Sequence, residues 1–227
     1  MPTNYLLSSA QTESFSILRV PPARKGPLLV IVPSIFGIGP DVTGYAQDFA
    51  KAGALVYVLD SFWREDPGPL PIPSESRRAV RRMQAVDPDN VLADILTAVD
   101  HGRTDQSCNG SVILLGICFG GRFAWRAASK TPVQALAAWH GGGMLADIKQ
   151  NTPEAAHLEL DFGEADPLIP LSVVDQIRGI LHGRENTHIR THPNSGHGFT
   201  HTGTVKYNAQ AAKHAKDAVL RLIALHR

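Results

Sequence analysis

A cysteine between two glycines is the residue of this sequence best suited to nucleophilic catalysis. Residues 116–120 read Gly-Ile-Cys-Phe-Gly, the spacing of the G-x-S-x-G nucleophile elbow with Cys118 in place of serine. The nucleophile of such an elbow occupies a strained strand-to-helix turn, and the residues two positions away must be small. The helix dipole favours a thiolate there, and the Phe119 N–H would stabilise an oxyanion at an attacked carbonyl. The alternative is that Cys118 is a small buried side chain and the glycines only permit close packing.

An acid and a histidine follow Cys118 in the chain order that this kind of elbow requires. Asp166 lies in a proline-bounded loop after one apolar run, where it can accept the imidazole N–H and set the tautomer. His197 lies in a glycine-flanked turn after the next apolar run. Glu164 is the competing acid, but Asp166 is better placed at the tip of the loop. The order predicts a Cys-His-Asp triad.

A local cluster of histidines raises the alternative of a metal site. The cluster comprises His188, His192, His197 and His201. Its members straddle a strand and a proline turn, and no cysteine or carboxylate at a suitable spacing completes a tetrahedral set. We therefore predict no metal and no other cofactor.

Alternating strands and helices must position these side chains. Apolar runs bounded by Gly, Pro or Asn predict strands at 15–20, 28–32, 55–59, 111–115, 135–139, 157–162 and 187–192. Segments of 3.6-residue periodicity predict helices at 42–52, 76–86, 91–102, 120–129, 171–181 and 205–226. Most of the strands are continuously apolar, as in a parallel sheet covered on both faces. The pattern indicates a three-layer α/β fold with a mostly parallel central sheet, in which ligands bind beyond the carboxyl ends of the strands.

Composition argues against several other classes of protein. The 227 residues carry 22 Lys and Arg against 21 Asp and Glu, and a net charge of +1 gives no electrostatic case for nucleic-acid binding. No apolar run reaches the roughly 20 residues that cross a bilayer, and the N-terminus lacks a secretory pattern. Two separate cysteines, Cys108 and Cys118, favour a reduced cytoplasmic compartment. No repeat or linker divides the chain, so we predict a single domain over residues 1–227.

Four ordered motifs make the sequence similar to the dienelactone hydrolase family of α/β hydrolases. They are Ile-Phe-Gly at 35–37, Gly-Ile-Cys-Phe-Gly-Gly at 116–121, Gly-Glu-Ala-Asp-Pro-Leu-Ile-Pro at 163–170 and Gly-His-Gly-Phe at 196–199. The resemblance covers most of the chain, from about Leu28 to the final helix. It implies the α/β-hydrolase fold.

The resemblance also implies a reaction and the residues that perform it. Such an enzyme opens an ester or lactone through a thioester, with Cys118 as nucleophile, His197 as base and Asp166 as the acid that orients the base. The backbone N–H groups of Ile35 and Phe119 would form the oxyanion hole. We therefore predict a carboxylic ester or lactone hydrolase that acts on a small molecule without a cofactor, as a monomer or homodimer.

Two positions depart from the pattern of the best-studied family members. Those members have a glutamate before the Ile-Phe-Gly segment that is thought to help hold and release the thiol, and here the residue is Ser34. They also bind the substrate carboxylate with arginines, one of them four residues after the catalytic histidine, where this chain has His201. We hypothesise that the Ser34 hydroxyl hydrogen-bonds the resting thiolate instead.

Further candidates for substrate binding lie where pocket walls are expected. A helix beginning near Ser76 would bury Ala79, Val80 and Met83, which leaves its four arginines on a solvated face unless one of them reaches the pocket. Tryptophans at the ends of two strands would shape the pocket, although Trp139 also suits the core. The complete set of predicted substrate-binding residues is Ser34, Phe36, Trp63, Arg78, Arg81, Trp139, His140 and His201.

Two other functions are compatible with the sequence. The substitutions at Ser34 and His201 leave open a catalytically silent α/β-hydrolase scaffold that binds a ligand or partner. A thiol redox protein would pair Cys108 with Cys118, but the strand between them, at about 3.3 Å per residue, holds the sulfurs beyond bridging distance.

Overall fold

The computed structural model describes residues 1–8 and 14–227, and within them an eight-stranded sheet forms the centre of the protein. The strands are β1 (Thr3–Ser8), β2 (Ser14–Val20), β3 (Gly26–Val32), β4 (Leu55–Leu59), β5 (Cys108–Ile117), β6 (Ala135–Trp139), β7 (His157–Gly163) and β8 (Thr187–His192). Their order across the sheet is β1-β2-β4-β3-β5-β6-β7-β8. Strands β3 to β8 are parallel to their neighbours in this group, whereas β2 is antiparallel to both β1 and β4. The predicted mostly parallel sheet is confirmed.

Helices alternate with the parallel strands. Those in the described residues are α1 (Pro40–Lys51), α2 (Ser76–Ala85), α3 (Pro88–Thr104), α4 (Phe119–Ala128), α5 (Met144–Gln150), α6 (Leu171–Ile180) and α7 (Ala209–Leu225). Local capping fixes two of their starts, because the side chains of Asp87 and Asn208 accept hydrogen bonds from the first turns of α3 and α7. Among the described residues no helix combines the length and the apolar character needed to cross a bilayer.

The helices cover the two faces of the sheet and so create three layers. Helices α1 and α7 pack on one face through residues such as Phe49 and Val219. Helices α3, α4, α5 and α6 pack on the other, through residues such as Ile95 and Ile177. Strands β3, β4 and β6 are buried along their whole length, which explains their continuously apolar sequence. The predicted three-layer architecture is confirmed.

Two elements were not predicted from the sequence, and one strand begins earlier than expected. Strand β1 pairs with β2 at the edge of the sheet, and within residues 3–7 only Leu7 is buried, so the strand has almost no apolar pattern. Helix α5 has 7 residues, too few to establish a helical period. Strand β5 begins at Cys108, because pairing of β5 with β3 extends to this residue. Tertiary contacts therefore determine these features.

The parallel strands bring several chemically capable residues to one edge of the sheet. Ile35 follows β3, Cys118 follows β5 and His140 follows β6. Asp166 follows β7 and His197 follows β8. Because the carboxyl ends of parallel strands meet at the same edge, residues far apart in sequence become neighbours there.

Candidate active site

Cys118 occupies a sharp turn between β5 and α4. Its backbone has φ 53° and ψ −112°, a positive-φ conformation that is costly for a residue with a Cβ, and it is the N-cap of α4. A Cβ at Gly116 would lie 2.5 Å from the Gly120 oxygen, and a Cβ at Gly120 would lie 1.9 Å from the Val32 oxygen. Glycine is therefore required at both flanking positions, and the turn has the form of a nucleophile elbow.

Three side chains form a continuous hydrogen-bonded chain at this turn. Cys118 Sγ lies 3.0 Å from His197 Nε2, and His197 Nδ1 lies 2.8 Å from Asp166 Oδ2. Asp166 Oδ1 accepts hydrogen bonds from the N–H groups of Leu168, at 2.8 Å, and Ile169, at 3.2 Å. The carboxylate is thus held at both oxygens and directs Nε2 of the imidazole at the sulfur. The structure brings together the three residues predicted to be catalytic.

The surroundings of His197 favour its protonated form. Burial lowers the pKa of His197, but the hydrogen bonds with Asp166 and Cys118 outweigh burial and raise this pKa to about 10. The competing acid, Glu164, is exposed and binds the Thr191 hydroxyl at 3.1 Å. An imidazole nitrogen 3.0 Å from the sulfur is the arrangement of a nucleophile and its base.

The two predicted oxyanion-hole residues line the same cleft as Cys118. Phe119 is the first residue of α4, where a backbone N–H has no acceptor within the helix. The Ile35 N–H donates no hydrogen bond to another residue within 1–8 and 14–227. The next peptide is held at both ends, because the Ile35 carbonyl accepts from Arg82 Nε at 2.8 Å and the Phe36 N–H donates to Ser34 Oγ at 3.3 Å. Ile35 and Phe119 therefore lie in the cleft on a backbone that hydrogen bonds hold in place.

Arg82 is the buried cation that holds this loop. Its side chain is 2% exposed, and its guanidinium lies 4.3 Å from the centroid of the Phe62 ring. Besides the Ile35 carbonyl, it donates from Nη1 to the carbonyls of Asp66 and Gly68, each at 2.8 Å. Buried carbonyl groups need donors, and the guanidinium supplies three at once.

The buried face of α2 therefore differs from the predicted one. The helix buries Ala79 and Arg82, whereas Val80 is 40% exposed and lines the cleft. The prediction that Val80 is buried and Arg82 solvated was wrong, because the loop carbonyls take the guanidinium inward. Arg78 and Arg81 are exposed and lie outside the cleft.

A cleft of about 560 Å³ opens beside Cys118, large enough for a small organic substrate. Two of the predicted substrate-binding residues, Phe36 and His201, line it. Sequence reasoning missed further residues of its wall, among them Met83, Phe123, Leu168, Arg122 and Lys206.

The two missed cations could have been found by different signals. Arg122 lies in the first turn after the elbow, so its position next to the nucleophile follows from the motif, and its Nε donates to Asp147 at 3.1 Å. Lys206 was placed in the final helix by its sequence pattern, but α7 begins at Ala209 and Lys206 lies in the preceding loop. Within residues 1–8 and 14–227 Lys206 has no ion pair, and its side chain is exposed.

Neither predicted tryptophan lines the cleft, since Trp63 packs partly buried against the core and Trp139 lies within it. Trp63 donates from Nε1 to Asp94 at 2.8 Å and stacks on Phe15. Trp139 is 0% exposed and contacts the Tyr45 ring on the α1 side of the sheet. Alternation along β6 places the Trp139 ring in the core on the α1 and α7 side of the sheet, so the core interpretation applies to this residue.

Ser34 does not contact the sulfur in the way we hypothesised. It is 1% exposed, and its hydroxyl oxygen accepts the Phe36 N–H described above. Within the described ranges its hydroxyl makes no hydrogen bond to Cys118. The serine therefore stabilises the loop that carries Ile35.

Two further histidines belong to this cluster, because the His140 ring contacts the rings of both His197 and His201. His201 lines the cleft, and its Nδ1 lies 2.7 Å from Asp41 Oδ2. His140 is 0% exposed, its ring centroid lies 5.1 Å from that of His197, and its Nε2 lies 2.8 Å from Thr200 Oγ1. Burial lowers the pKa of His140 well below its usual value, and the neighbouring His197 and His201 lower it further. His140 is therefore a neutral imidazole behind the reactive pair.

Comparison with known proteins agrees with this geometry. The model of the dienelactone hydrolase family matches residues 16–226. The chain belongs to the dienelactone hydrolase family. The resemblance identified from the four motifs is thus confirmed, and the elbow, the cleft and the imidazole described above are those of a member of this hydrolase family.

Individual relatives span nearly the whole of this family member. A carboxymethylenebutenolidase of Pseudomonas putida is 26% identical over 223 residues, which is 96% of this chain and 94% of the relative. A candidate dienelactone hydrolase from Klebsiella pneumoniae subsp. pneumoniae has a TM-score of 0.84 at 21% identity, with 100% of both chains covered. An α/β serine hydrolase without a lid from Xanthomonas campestris has a TM-score of 0.70 at 16% identity, covering 98% of this chain and 95% of its own. The α/β-hydrolase fold predicted for the chain is confirmed.

Proposed function

We propose that this protein is a cysteine-dependent hydrolase that opens a small ester or lactone through a thioester. The observation that carries the proposal is the chain of contacts from Asp166 through His197 to Cys118, with spacings of 2.8 and 3.0 Å, at a cleft of about 560 Å³. Family membership supports the same chemistry.

In the first half of the reaction, the Cys118 thiolate attacks the carbonyl carbon of the substrate. A carbon–sulfur bond forms while the carbonyl electron pair moves to oxygen, and the N–H groups of Ile35 and Phe119 stabilise this oxyanion. When the oxyanion collapses, the bond to the alkoxide oxygen breaks and the His197 imidazolium gives its proton to that oxygen. With a lactone, the released alcohol stays attached to the acyl chain.

In the second half, water cleaves the thioester. The now neutral His197 removes a proton from water, the hydroxide oxygen attacks the thioester carbonyl, and the carbon–sulfur bond breaks to release the acid. Asp166 holds the imidazole with Nδ1 protonated throughout, so that Nε2 can accept and return the proton.

The cleft supports a small substrate that carries negative charge. A carboxymethylenebutenolidase is among the relatives, and its name denotes an enzyme that acts on a carboxylated lactone. Arg122 and Lys206 line the cleft here, and neither is at the position four residues after His197, where this chain has His201. Lys206 is the better candidate for a substrate carboxylate, because Arg122 already binds Asp147. The wall is otherwise mostly apolar, which suits a carbon skeleton.

The chain offers a matched control for testing the nucleophile, since Cys108 is the second free thiol. We expect Cys118→Ala to abolish turnover of p-nitrophenyl acetate, and Cys108→Ala to retain it. Mass spectrometry of wild-type protein quenched during turnover should find the acetyl group on Cys118. If Cys118→Ala turns over the ester as fast as the wild type, the thioester mechanism is wrong. If the wild type itself is inactive and its thiol unreactive towards iodoacetamide, the silent scaffold becomes the better interpretation.

A further inference from the structure

A third side chain approaches the pair formed by Cys118 and His197. One potential ligand atom from each of Cys118, His140 and His197 lies within 4.8 Å of the other two. His140 is completely buried, and its Nδ1 is a buried polar atom with no hydrogen-bond partner in the part of the chain that the structure describes. Buried polar atoms nearly always have partners, so a free nitrogen at this place needs an explanation.

The second nitrogen of each histidine is already held by a neighbouring group. His197 Nδ1 binds Asp166 at 2.8 Å, and His140 Nε2 binds Thr200 Oγ1 at 2.8 Å. Histidines that bind metals have this arrangement, in which the outer partner fixes the ring and leaves the other nitrogen for the ion. The atoms left for a ligand are His197 Nε2, His140 Nδ1 and Cys118 Sγ.

We propose that Cys118, His140 and His197 form a binding site for one soft divalent cation such as Zn²⁺, and that occupancy of this site blocks the nucleophile. A thiolate and two neutral imidazoles form a CysHis₂ set, which selects Zn²⁺ over Mg²⁺ and Ca²⁺. Zinc takes sulfur at about 2.3 Å and nitrogen at about 2.0–2.1 Å. Each of the three residues has one potential ligand atom within 4.8 Å of those of the other two, so the side chains would have to move closer together to bind the ion. The cleft that Cys118 and His197 line provides entry and water for a fourth position.

Zinc binding releases a proton and inhibits catalysis. The ion replaces the proton shared between Sγ and Nε2, and this proton is released to solvent. A sulfur bound to the metal has its electron pair engaged, and Nε2 can neither accept nor donate a proton. Zinc therefore inhibits the reaction reversibly, and a chelator restores it.

Other groups of histidines in the described residues lack these features. His157 and His226 have ring centroids 5.4 Å apart, but no cysteine or carboxylate joins them in a cluster of three. His192 is bound to Asp161 at 2.8 Å, and His188 is exposed, so among the described residues these two histidines do not join His197 in a group of three potential ligands. The new set could not be found by spacing, because its members follow three different strands.

Cobalt provides a readout that does not depend on turnover. Reduced, metal-free protein titrated with Co²⁺ should bind one ion per chain and show a thiolate-to-cobalt charge-transfer band, and Zn²⁺ should displace the cobalt and remove the band. Zn²⁺ should also protect Cys118 from iodoacetamide, and EDTA should reverse the protection. We expect His140→Phe, which keeps a ring but removes the nitrogens, to weaken Zn²⁺ binding by at least about tenfold.

The controls separate this site from adventitious binding and from a folding defect. His226→Phe should leave Zn²⁺ affinity unchanged, since it alters the other histidine pair. Wild-type protein alkylated at Cys118 retains its core and should lose the charge-transfer band, which keeps the test valid if His140→Phe does not fold. The proposal is wrong if the band survives alkylation, if folded His140→Phe binds Zn²⁺ as tightly as the wild type, or if His226→Phe abolishes binding. Because esterase activity is not needed for the cobalt spectrum, an inactive protein would still test it.

Discussion

The two ends of strand β5 each carry a cysteine, and the surroundings of the two sulfur atoms differ. Cys108 begins the strand, is 6% exposed and packs in the hydrophobic core. Its sulfur accepts a hydrogen bond from the Gly110 N–H at 3.3 Å and lies 3.8 Å from the Ser111 carbonyl oxygen. Cys118 follows the strand, has a positive φ and lies 3.0 Å from an imidazole. The residue type is the same, so any difference in reactivity comes from the base, the backbone strain and the access to solvent.

Charged groups at the two ends of the sheet differ in the same way. Near Cys108, the Asp105 carboxylate is bound by Arg19 at 2.8 and 2.9 Å and by the Tyr57 hydroxyl at 2.8 Å, so its hydrogen bonds end within the protein. Near Cys118, the chain of hydrogen bonds that starts at Asp166 ends on a sulfur facing a cleft. The first network stabilises the fold, whereas the second leaves its last member available for chemistry.

Of the substitutions that test this difference between the two ends of the sheet, Asp166→Asn should reduce turnover most. Asp166 Oδ1 accepts two backbone N–H groups, so an asparagine oxygen would stay there and its NH₂ would face His197 Nδ1. The imidazole would then carry its proton on Nε2 and could not serve as the base. We expect kcat to fall by about 10⁴-fold with little loss of stability, as for such a tautomer change in a protease triad. Glu164→Gln is the matched control. If it lowers kcat more than Asp166→Asn does, Glu164 and not Asp166 is the acid that orients His197.

The second change is Arg82→Met, which removes the donor that fixes the Ile35 carbonyl. Since Arg82 is a positioning residue that does not line the cleft, we expect kcat to fall by about 10- to 100-fold while KM changes little. Alkylation of Cys118 by iodoacetamide forms no oxyanion, so its rate should stay unchanged. The exposed neighbour supplies the control, Arg81→Met. Equal losses in turnover and alkylation would mean that Arg82 only supports the fold.

A rise in pH should weaken the interaction between His197 and Cys118 by removing the proton from His197. The folded-state pKa of His197 is about 10, above the usual value of 6.5, so its contribution to stability is complete below pH 6.5 and is lost as the pH rises through about 10. Turnover should fall by about fivefold from pH 10 to pH 11, because a smaller fraction of His197 then carries the proton that the leaving group needs. An NMR titration of the His197 ring checks this, and its midpoint should be lower in Cys118→Ala. A wild-type midpoint near 6.5 would contradict the ion pair.

The sequence predicted the elbow and the triad residues better than it predicted the residues that form the walls of the cleft. The elbow glycines and the order of Cys118, Asp166 and His197 are local patterns, because the turn needs glycine and the fold fixes the order of the loops. The inward position of Arg82 depends on carbonyl groups of a separate loop. The periodicity of the helix alone cannot predict these contacts.

Features that depend on contacts between distant segments were also missed. Strand β1 has almost no apolar pattern in its sequence, and His140 approaches His197 only because the strands before the two histidines are close in the folded sheet. The single domain, the oligomeric state and the cytoplasmic location stay predictions.

The smallest expected effect on turnover comes from Tyr57→Phe, since Tyr57 binds Asp105 at the Cys108 end of the sheet. Burial raises the pKa of Asp105, but hydrogen bonds from Arg19, from the Ser107 N–H and from Tyr57 outweigh it and hold this pKa below its usual range. Removing one of these donors leaves the carboxylate paired with Arg19, so we expect a loss of about 1–2 kcal/mol in the free energy of unfolding. Urea denaturation measures this loss, with the exposed Tyr5→Phe as control. Turnover should not change, because the network shares no member with the cleft, and a fall in kcat of the folded variant would show that the two ends of the sheet are coupled.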